Sequence, residues 1–247
     1  MAYIDEIREM NLETSKGERF NENDLFYINA LHTAINNIRQ WYLKRITPLS
    51  NGEEVEVVER DYSSELKTQV CMCLIKDFPN SNPLGLDCDH EGSKTFFTEA
   101  WNIIYGDDKY PDIIIHKGDL PERGIQEIVC EIKRLSQLGS KEMLMDLNKL
   151  ITISGCEIWK GYGYRIPVFI ISNGTKDQLE KKIKSFGHSK YTVFDLLHGK
   201  NNKEMTFPEY VTENQARLKN ILCLCHSAEK VVETTTIYDV VQSKITR

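Results

Sequence analysis

The sequence contains no long hydrophobic run and no excess of positive charge, and each absence excludes a class of protein. Nowhere in the chain do about 18 apolar residues follow one another, which is the length that a membrane-spanning helix requires. The N-terminal stretch MAYIDEIREM lacks the basic and then apolar layout of a secretory signal. We therefore expect a soluble, intracellular, cytoplasmic protein that does not have a membrane as its partner.

The formal net charge of −6 disfavours a large non-specific surface for polyanions. Phosphate binding is driven by lysine and arginine side chains that displace counterions, and acidic residues outnumber basic ones in this chain. The net charge does not exclude nucleic acid, because the lysines between residues 176 and 190 could form a local basic face. Some of the acidic excess could also serve as metal ligands.

The seven cysteines are odd in number, and most of them stand inside apolar stretches. This distribution is typical of reduced thiols in a protein core. A zinc site is disfavoured, because neither the group around Cys71 nor the group around Cys223 has the paired C-x-x-C spacing of structural zinc sites.

Helical periodicity and turn residues divide the 247 residues into three regions. Residues 1–54 are predicted to form a helical extension, residues 55–187 a core, and residues 188–247 an elaboration packed on the core. The strongest amphipathic pattern is a helix from Asp24 to Arg45, for which Asn23 or Asp24 is the predicted N-cap.

The core region has the order helix, strand, strand, strand, helix, strand, helix. This alternation predicts an α/β fold with a mixed sheet flanked by helices, and the turn at Lys117-Gly118-Asp119 predicts that the second and third strands form a hairpin. The predicted helices of the core are Tyr62 or Ser63 to Phe78 (capped by Ser63 or Ser64), Lys141 to Ile151 and Lys176 to Phe186. The predicted strands are Leu84 to His90, Asp112 to His116, Ile125 to Leu135 and Tyr164 to Ser172. A helix from Pro208 to about Cys225 and a strand from Lys230 to Ile237 follow the core.

The residues that indicate chemistry are Pro111-Asp112 at the start of one predicted strand and Glu131-Ile132-Lys133 near the end of the next. Alternate side chains of a strand point the same way, so Glu131 and Lys133 share a face while Ile132 turns into the core. Asp112 on the neighbouring strand can then approach Glu131. Two carboxylates and a backbone carbonyl, completed by waters, suit Mg²⁺, and a lysine beside them can orient or help deprotonate a metal-bound water.

This pattern resembles the PD-(D/E)XK nuclease superfamily, the restriction-endonuclease-like fold. The likeness covers roughly residues 55–186, because the order of elements around the motif matches the family core. It implies a metal-dependent endonuclease that hydrolyses phosphodiester bonds, with Mg²⁺ or Mn²⁺ bound by Asp112 and Glu131 and with Lys133 as the catalytic cation. DNA is favoured over RNA as the nucleic-acid partner. A homodimer is a further option, since enzymes of this fold that cut both strands often work as pairs.

In that superfamily the helix before the first strand often supplies another acidic residue. Glu65 stands in this helix and is predicted as a further metal ligand, and Glu91, after the first strand, is the competing candidate. Glu65 could instead be an acid of the first helical turn, where the helix dipole favours negative charge.

Other polar residues near the motif have simpler interpretations. His116 lies about 13 Å along the strand from Asp112, so it is expected to end the strand or contact substrate rather than share an ion. Asp146 and Lys149 are three residues apart on one helix and predict a solvated ion pair, with a phosphate contact from Lys149 as the less favoured alternative.

Two alternative functions stand beside the nuclease. A Pro-Asp dipeptide and a Glu-X-Lys tripeptide are each common by chance, and their acidic cluster could be structural. The protein would then be a catalytically inactive nuclease-fold module that binds nucleic acid or another protein. The second alternative is an unrelated interaction protein, which the amphipathic N-terminal helix suggests.

Overall fold

A computed structural model describes residues 2–44, 46–48, 54–56, 59–76, 82–90, 111–116, 126–155, 163–194, 202–229 and 231–245. The helices are α1 (Ala2–Glu9), α2 (Glu22–Asn37), α3 (Gln40–Lys44), α4 (Glu59–Lys76), α5 (Ser140–Gly155), α6 (Lys176–Lys184), α7 (Phe207–Glu213), α8 (Gln215–Leu218) and α9 (Ile237–Ile245). The strands are β1 (Ile46–Pro48), β2 (Glu54–Glu56), β3 (Asp87–His90), β4 (Ile113–His116), β5 (Gln126–Arg134), β6 (Ile166–Ser172), β7 (Lys190–Phe194), β8 (Asn202–Thr206), β9 (Leu222–His226) and β10 (Val232–Thr236).

Six of these strands form one mixed sheet in the order β10-β9-β6-β5-β4-β3. Strands β5, β6 and β9 run parallel to one another, and the remaining neighbours are antiparallel. Two short antiparallel pairs, β1-β2 and β7-β8, lie outside this sheet. The structure confirms the predicted α/β class with a mixed sheet flanked by helices.

The sheet is covered by helices on both faces, because its central strands are apolar on both sides. On β5, Val129 faces one core, and its neighbours Ile128 and Cys130 face the other. Strands buried on both faces typically read as continuous apolar runs rather than alternating ones. Helices α5, α6, α7 and α9 cover the side of Val129, which we name the α5 face. Helices α1, α2 and α4 cover the opposite side, which we name the α4 face.

The predicted hairpin is confirmed. Strands β4 and β5 pair in antiparallel fashion, with Ile113 opposite Cys130. The observed ends of the two strands differ from the predicted ends by no more than one residue. Helices α5 and α6 and strand β6 also lie where the periodicity placed them. Glu91 and the turn from Lys117 to Asp119 lie outside the described residues.

The predicted N-terminal helix is wrong at both ends. Asn21, rather than Asn23 or Asp24, caps α2: its side chain accepts hydrogen bonds from the backbone of Asn23 and Asp24, and the carboxylate of Asp24 accepts one from the N–H of Asn21. This reciprocal capping box fixes the first turn. The backbone leaves the helical conformation at Ile38, with ψ 129°, so no continuous helix reaches Arg45.

Helix α4 begins at Glu59, earlier than the predicted start at Tyr62 or Ser63. The hydroxyl of Ser63 donates to the carbonyl of Arg60 within the helix, so the predicted serine cap is also wrong. Glu59 and Asp61 occupy the first turn instead, where the positive end of the helix dipole favours carboxylates.

The predicted helix from Pro208 to about Cys225 is wrong in its second half. Helix α7 ends at Glu213, the short helix α8 follows, and the buried segment Leu222–His226 is strand β9, parallel to β6. Consecutive apolar residues suit a strand in the interior of a parallel sheet better than a one-sided helix. The C-terminal region thus contributes β9 and β10 to the main sheet.

The six cysteines in the described ranges are free thiols, and four of them are buried, in agreement with the expected reduced core thiols. Within the described part of the chain, no helix is long and apolar enough to cross a membrane.

Arg165 joins α2 to the sheet through a buried acidic pair. Its Nε lies 3.0 Å from Oδ1 of Asp24, its Nη2 donates to Oδ2 of Asp24 at 3.1 Å, and its Nη1 lies 2.7 Å from Glu18. Glu127 of β5 is buried beside Asp24. Burial and the neighbouring Asp24 raise the pKa of Glu127 to about 8, so this carboxyl is protonated at neutral pH.

The raised pKa of Glu127 predicts a pH-dependent effect of the substitution Glu127→Gln. An unfolded glutamate has a pKa of 4.5, so the folded state binds more protons than the unfolded state and loses stability as the pH rises from 4.5 to about 8. Glutamine keeps the shape and a donor toward Asp24 without this loss. In thermal melts we expect the variant to match the parent protein near pH 4.5 and to exceed its melting temperature increasingly toward pH 8.

The exposed Glu204 of β8 provides the control, since Glu204→Gln should leave the melting temperature unchanged relative to the parent across this range. A difference between Glu127→Gln and the parent that does not grow with pH would contradict the interpretation.

Candidate active site

Asp112 lies immediately before β4 and is held against β5 by two hydrogen bonds. Its N–H donates to the carbonyl of Cys130 at 3.1 Å, and its Oδ2 accepts from the N–H of Ile132 at 2.7 Å. Because Ile113 pairs with Cys130, the antiparallel register places Asp112 opposite Glu131. The structure therefore brings the carboxylates of Asp112 and Glu131 to neighbouring positions on two strands.

Glu131 points from β5 into the α5 face and is fully buried. Its Oε2 forms an ion pair with Nζ of Lys149, at 2.5 Å, and Lys149 comes from helix α5. Both of its carboxylate oxygens are buried and neither has a hydrogen-bond partner in the described part of the chain, so the ion pair with Lys149 compensates its charge. A carboxylate in such surroundings requires a nearby cation, since an uncompensated buried charge is strongly unfavourable.

Lys133 shares the face of Glu131, as the strand alternation predicts. Its Nζ donates to Oε1 of Glu59 at 2.9 Å and lies 3.5 Å from Oδ2 of Asp146. The other carboxylate oxygen of Asp146 lies 3.6 Å from Nζ of Lys149. Asp146 thus lies between the two lysines and links them in one network.

Burial is the first cause of the pKa shifts of both acids. It raises the pKa of Asp112 to about 6, against the opposing charge of Lys149 and the hydrogen bond from Ile132. It raises the pKa of Glu131 well above the ordinary value, and Asp112 and Asp146 add to this effect. The site therefore binds protons more readily than exposed carboxylates do.

Both lysines of the site remain ammonium ions at neutral pH. Burial acts to lower the pKa of Lys133, but Asp146 and Glu59 outweigh it and the pKa is raised. Burial likewise opposes the charge of Lys149, and Glu131 and Asp146 raise its pKa above the ordinary value. The lysines can therefore donate hydrogen bonds and offset negative charge.

The site cluster consists of four carboxyl groups and two ammonium groups, and it carries a formal charge of −2 when all its members are ionised. Its members come from α4, the β4-β5 pair and α5, and they are Glu59, Asp112, Glu131, Lys133, Asp146 and Lys149. A residual negative charge in a partly buried site favours a cation.

Glu65, which was predicted as a metal ligand, has its contacts outside the cluster, and so does His116, which was predicted to end the strand or contact substrate. Glu65 contacts Arg39 at 3.4 Å and accepts a hydrogen bond from Gln69 at 3.0 Å, so its contacts do not connect it with the cluster. His116 lies 3.1 Å from Oδ2 of Asp89, which agrees with its role as a strand-end histidine.

Sequence reasoning did not assign Glu59 and Lys149 to the cluster. Glu59 precedes the predicted start of this helix at Tyr62 or Ser63, so the sequence pattern does not place it beside the strands. The expected solvated pair of Asp146 and Lys149 is wrong, since both residues are buried and the nearest carboxylate to Lys149 is that of Glu131. The signal available in the sequence was a lysine, Lys149, next to the apolar positions Leu147 and Leu150 of the predicted helix. This signal does not show which strand the lysine contacts.

The donor set is compatible with a hydrated divalent cation rather than a fully enclosed one. In the described ranges, no group of three or more His, Cys, Asp or Glu side chains is arranged to hold a metal ion. Mg²⁺ keeps several waters and often binds through one or two carboxylates, which Asp112 and Glu131 could supply. The buried Oε1 of Glu131, which lacks a hydrogen bond, is the atom best suited to such a ligand role.

Comparisons of the chain with protein-family models, with curated proteins and with solved structures found no match.

The hydrogen bond from Ile132 predicts opposite effects for two substitutions of Asp112. Asp112→Asn keeps an oxygen acceptor for the N–H of Ile132 and removes a carboxylate that is disfavoured in the folded state above pH 6. Asp112→Ala removes the acceptor and leaves that N–H unsatisfied. By urea unfolding at pH 8 we expect the asparagine variant to be at least as stable as the parent, and the alanine variant to lose about 1–3 kcal/mol.

Equal stabilities of the asparagine and alanine variants would show that the bond to Ile132 does not hold Asp112 in place.

Proposed function

We propose that this chain is a metal-dependent nuclease with a restriction-endonuclease-like core, which hydrolyses phosphodiester bonds in nucleic acid, with DNA favoured over RNA. The observation that carries the proposal is the meeting of Asp112, Glu131 and Lys133 from two adjacent strands in one charged cluster. The chain order α4, β3, β4, β5, α5, β6 around these residues supports the same family core.

In this proposal Asp112 and Glu131, with a backbone carbonyl, would hold Mg²⁺ or Mn²⁺. When bound, the metal ion would act as a Lewis acid and would lower the pKa of a water molecule. Lys133 donates hydrogen bonds as an ammonium ion, so it orients the attacking water and offsets the negative charge that grows on the phosphate in the transition state. Glu59 positions Lys133 through the 2.9 Å contact and acts on the reaction only through it.

A second candidate function is a catalytically inactive module of the same fold that binds nucleic acid or protein. The observation that favours it is the pairing of both lysines with carboxylates of the cluster, which forms an ion network in the absence of any metal. A network of this kind has no requirement for a divalent cation. Titration with Mn²⁺ separates the two functions, since the nuclease must bind the ion and the inert network need not.

Cleavage assays on purified protein test the nuclease. We expect cutting of plasmid, linear duplex or single-stranded DNA in the presence of Mg²⁺ or Mn²⁺ and none in EDTA. Glu131→Gln removes a metal ligand, and Lys133→Met removes the cation beside the scissile phosphate. Each should lower the rate by about 100-fold or more, the usual effect of losing a group that acts on the transition state.

Glu204→Gln is the matched control and should cut at the parent rate, because Glu204 is exposed on β8. An RNA substrate of the same sequence decides the choice of nucleic acid. Absence of metal-dependent cutting on all substrates, together with absence of Mn²⁺ binding, would leave the inert module as the function.

The two acids of α4 can be compared directly. Glu59 holds Lys133, whereas Glu65 contacts Arg39 and Gln69. We therefore expect Glu59→Gln to lower the cleavage rate and Glu65→Gln to leave it near that of the parent protein. The reverse result would restore Glu65 as the additional metal ligand.

The raised pKa values of the two acids predict that metal binding depends on pH. Protons compete with the cation for Asp112, whose pKa is about 6, and for Glu131, whose pKa burial also raises above its ordinary value. Measured by electron paramagnetic resonance of free Mn²⁺, the affinity should fall as the pH is lowered from about 8 to 5.5. An affinity that stays constant over this range would place the ion away from these two acids.

A further inference from the structure

Lys149 makes the shortest contact in the site cluster and is largely buried. Its Nζ lies 2.5 Å from Oε2 of Glu131, and 8% of Lys149 and none of Glu131 is exposed. The stem of Lys149 is held by α5, whose neighbouring residues Leu147 and Leu150 are part of the core on the α5 face. Lys149 therefore extends to Glu131 from a helix that is packed on the core, and not from an exposed surface segment.

We infer that the ammonium group of Lys149 is the counter-ion of Glu131 in this site, and that Lys149 and a divalent metal ion compete for the carboxylate of Glu131. The inference rests on the proposed function for the presence of the metal. Its structural part, the role of Lys149 as the counter-ion of Glu131, rests on the contact itself.

Competition follows from the space and charge around Glu131. One of its oxygens already carries an ammonium ion at 2.5 Å, and the other is buried. A divalent ion on this carboxylate would lie close to Lys149, and two cations at such a separation repel each other strongly in a site of low dielectric. Binding of the metal must therefore weaken or break the pair between Lys149 and Glu131.

Asp146 provides a second partner for the displaced ammonium group. Its Oδ1 already lies 3.6 Å from Nζ of Lys149, one helical turn away on α5. A change of side-chain torsion in Lys149 would shift its pairing from Glu131 to Asp146 without movement of the helix. The ammonium ion would then stay inside the site, where it could contact an anionic phosphate.

Lys133 provides a matched comparison because it carries the same charge in the same cluster. Its described contacts are with Glu59 at 2.9 Å and Asp146 at 3.5 Å. Removing either lysine makes the cluster more negative by one charge and should strengthen cation binding through general electrostatics. Only the removal of Lys149 also frees the Oε2 of Glu131.

The test measures Mn²⁺ dissociation constants by isothermal titration for the parent protein, Lys149→Met and Lys133→Met. We expect Lys149→Met to bind Mn²⁺ at least about tenfold more tightly than the parent, because the metal no longer has to displace the buried ion pair between Lys149 and Glu131. Lys133→Met should show a clearly smaller gain. Equal gains in the two variants, or no gain in Lys149→Met, would overturn the inference. Absence of Mn²⁺ binding in all three proteins would overturn it as well.

Thermal melts in EDTA test the counter-ion role without metal or activity. Lys149→Met should lower the melting temperature, and the double variant Lys149→Met with Glu131→Gln should recover part of the loss, because it removes the buried charge that lost its partner. If Lys149→Met does not fold, Lys149→Gln replaces it in both experiments, since glutamine is neutral but can still donate to Glu131. No recovery in the double variant would overturn the counter-ion role.

The same experiments distinguish this inference from the nuclease itself. A parent protein that binds Mn²⁺ but cuts no substrate would refute the proposed reaction, while tighter binding by Lys149→Met would still support the competition. Cutting by the parent together with unchanged Mn²⁺ affinity in Lys149→Met would support the nuclease and refute the competition.

Discussion

The arrangement of this site depends on one constraint: a carboxylate in the middle of a buried strand must be accompanied by cations. Glu131 stands on β5, in the interior of the six-stranded sheet, and none of it is exposed. Its charge is stabilised there by Lys149, which reaches it from α5. Asp146 and Glu59 then compensate the lysines, so the cluster extends from one face of the sheet to the start of α4.

This requirement links parts of the fold that are distant in sequence. Lys133 of β5 contacts Glu59 at the N-terminal end of α4, and Lys149 of α5 contacts Glu131 of the same strand. The helix dipole adds to the arrangement, because the first turn of α4 favours a carboxylate where Glu59 stands. The position of α4 relative to β5 is thus fixed by charge at one end and by its apolar contacts along the rest of its length.

Sequence reasoning succeeded where the information is local. Strand alternation predicted that Glu131 and Lys133 share a face, and the hairpin pattern predicted that Asp112 meets Glu131 across two strands. It failed where a residue is defined by a distant partner. The residues around Lys149 in the sequence do not indicate that it contacts β5. Glu59 is assigned to α4 only by the structure, which shows that the helix begins there. Strand β9 was wrongly predicted as helix. Its burial depends on pairing with the distant strand β6, and the local periodicity of the sequence carries no information about that pairing.

The energetics of buried ion networks bear on whether this cluster is structural or functional. A buried network of charges is rarely more stable than apolar side chains of the same volume, since desolvation offsets most of the attraction. Stability alone therefore gives no physical reason to gather four carboxyl groups and two lysines in one partly buried cluster. The network also stays incomplete, because neither buried oxygen of Glu131 has a hydrogen bond within the described residues and the formal charge remains negative. Perturbed acids gathered in such an incompletely compensated cluster are characteristic of sites that bind or transform a ligand, and a divalent cation is the ligand that would complete both the charge and the coordination.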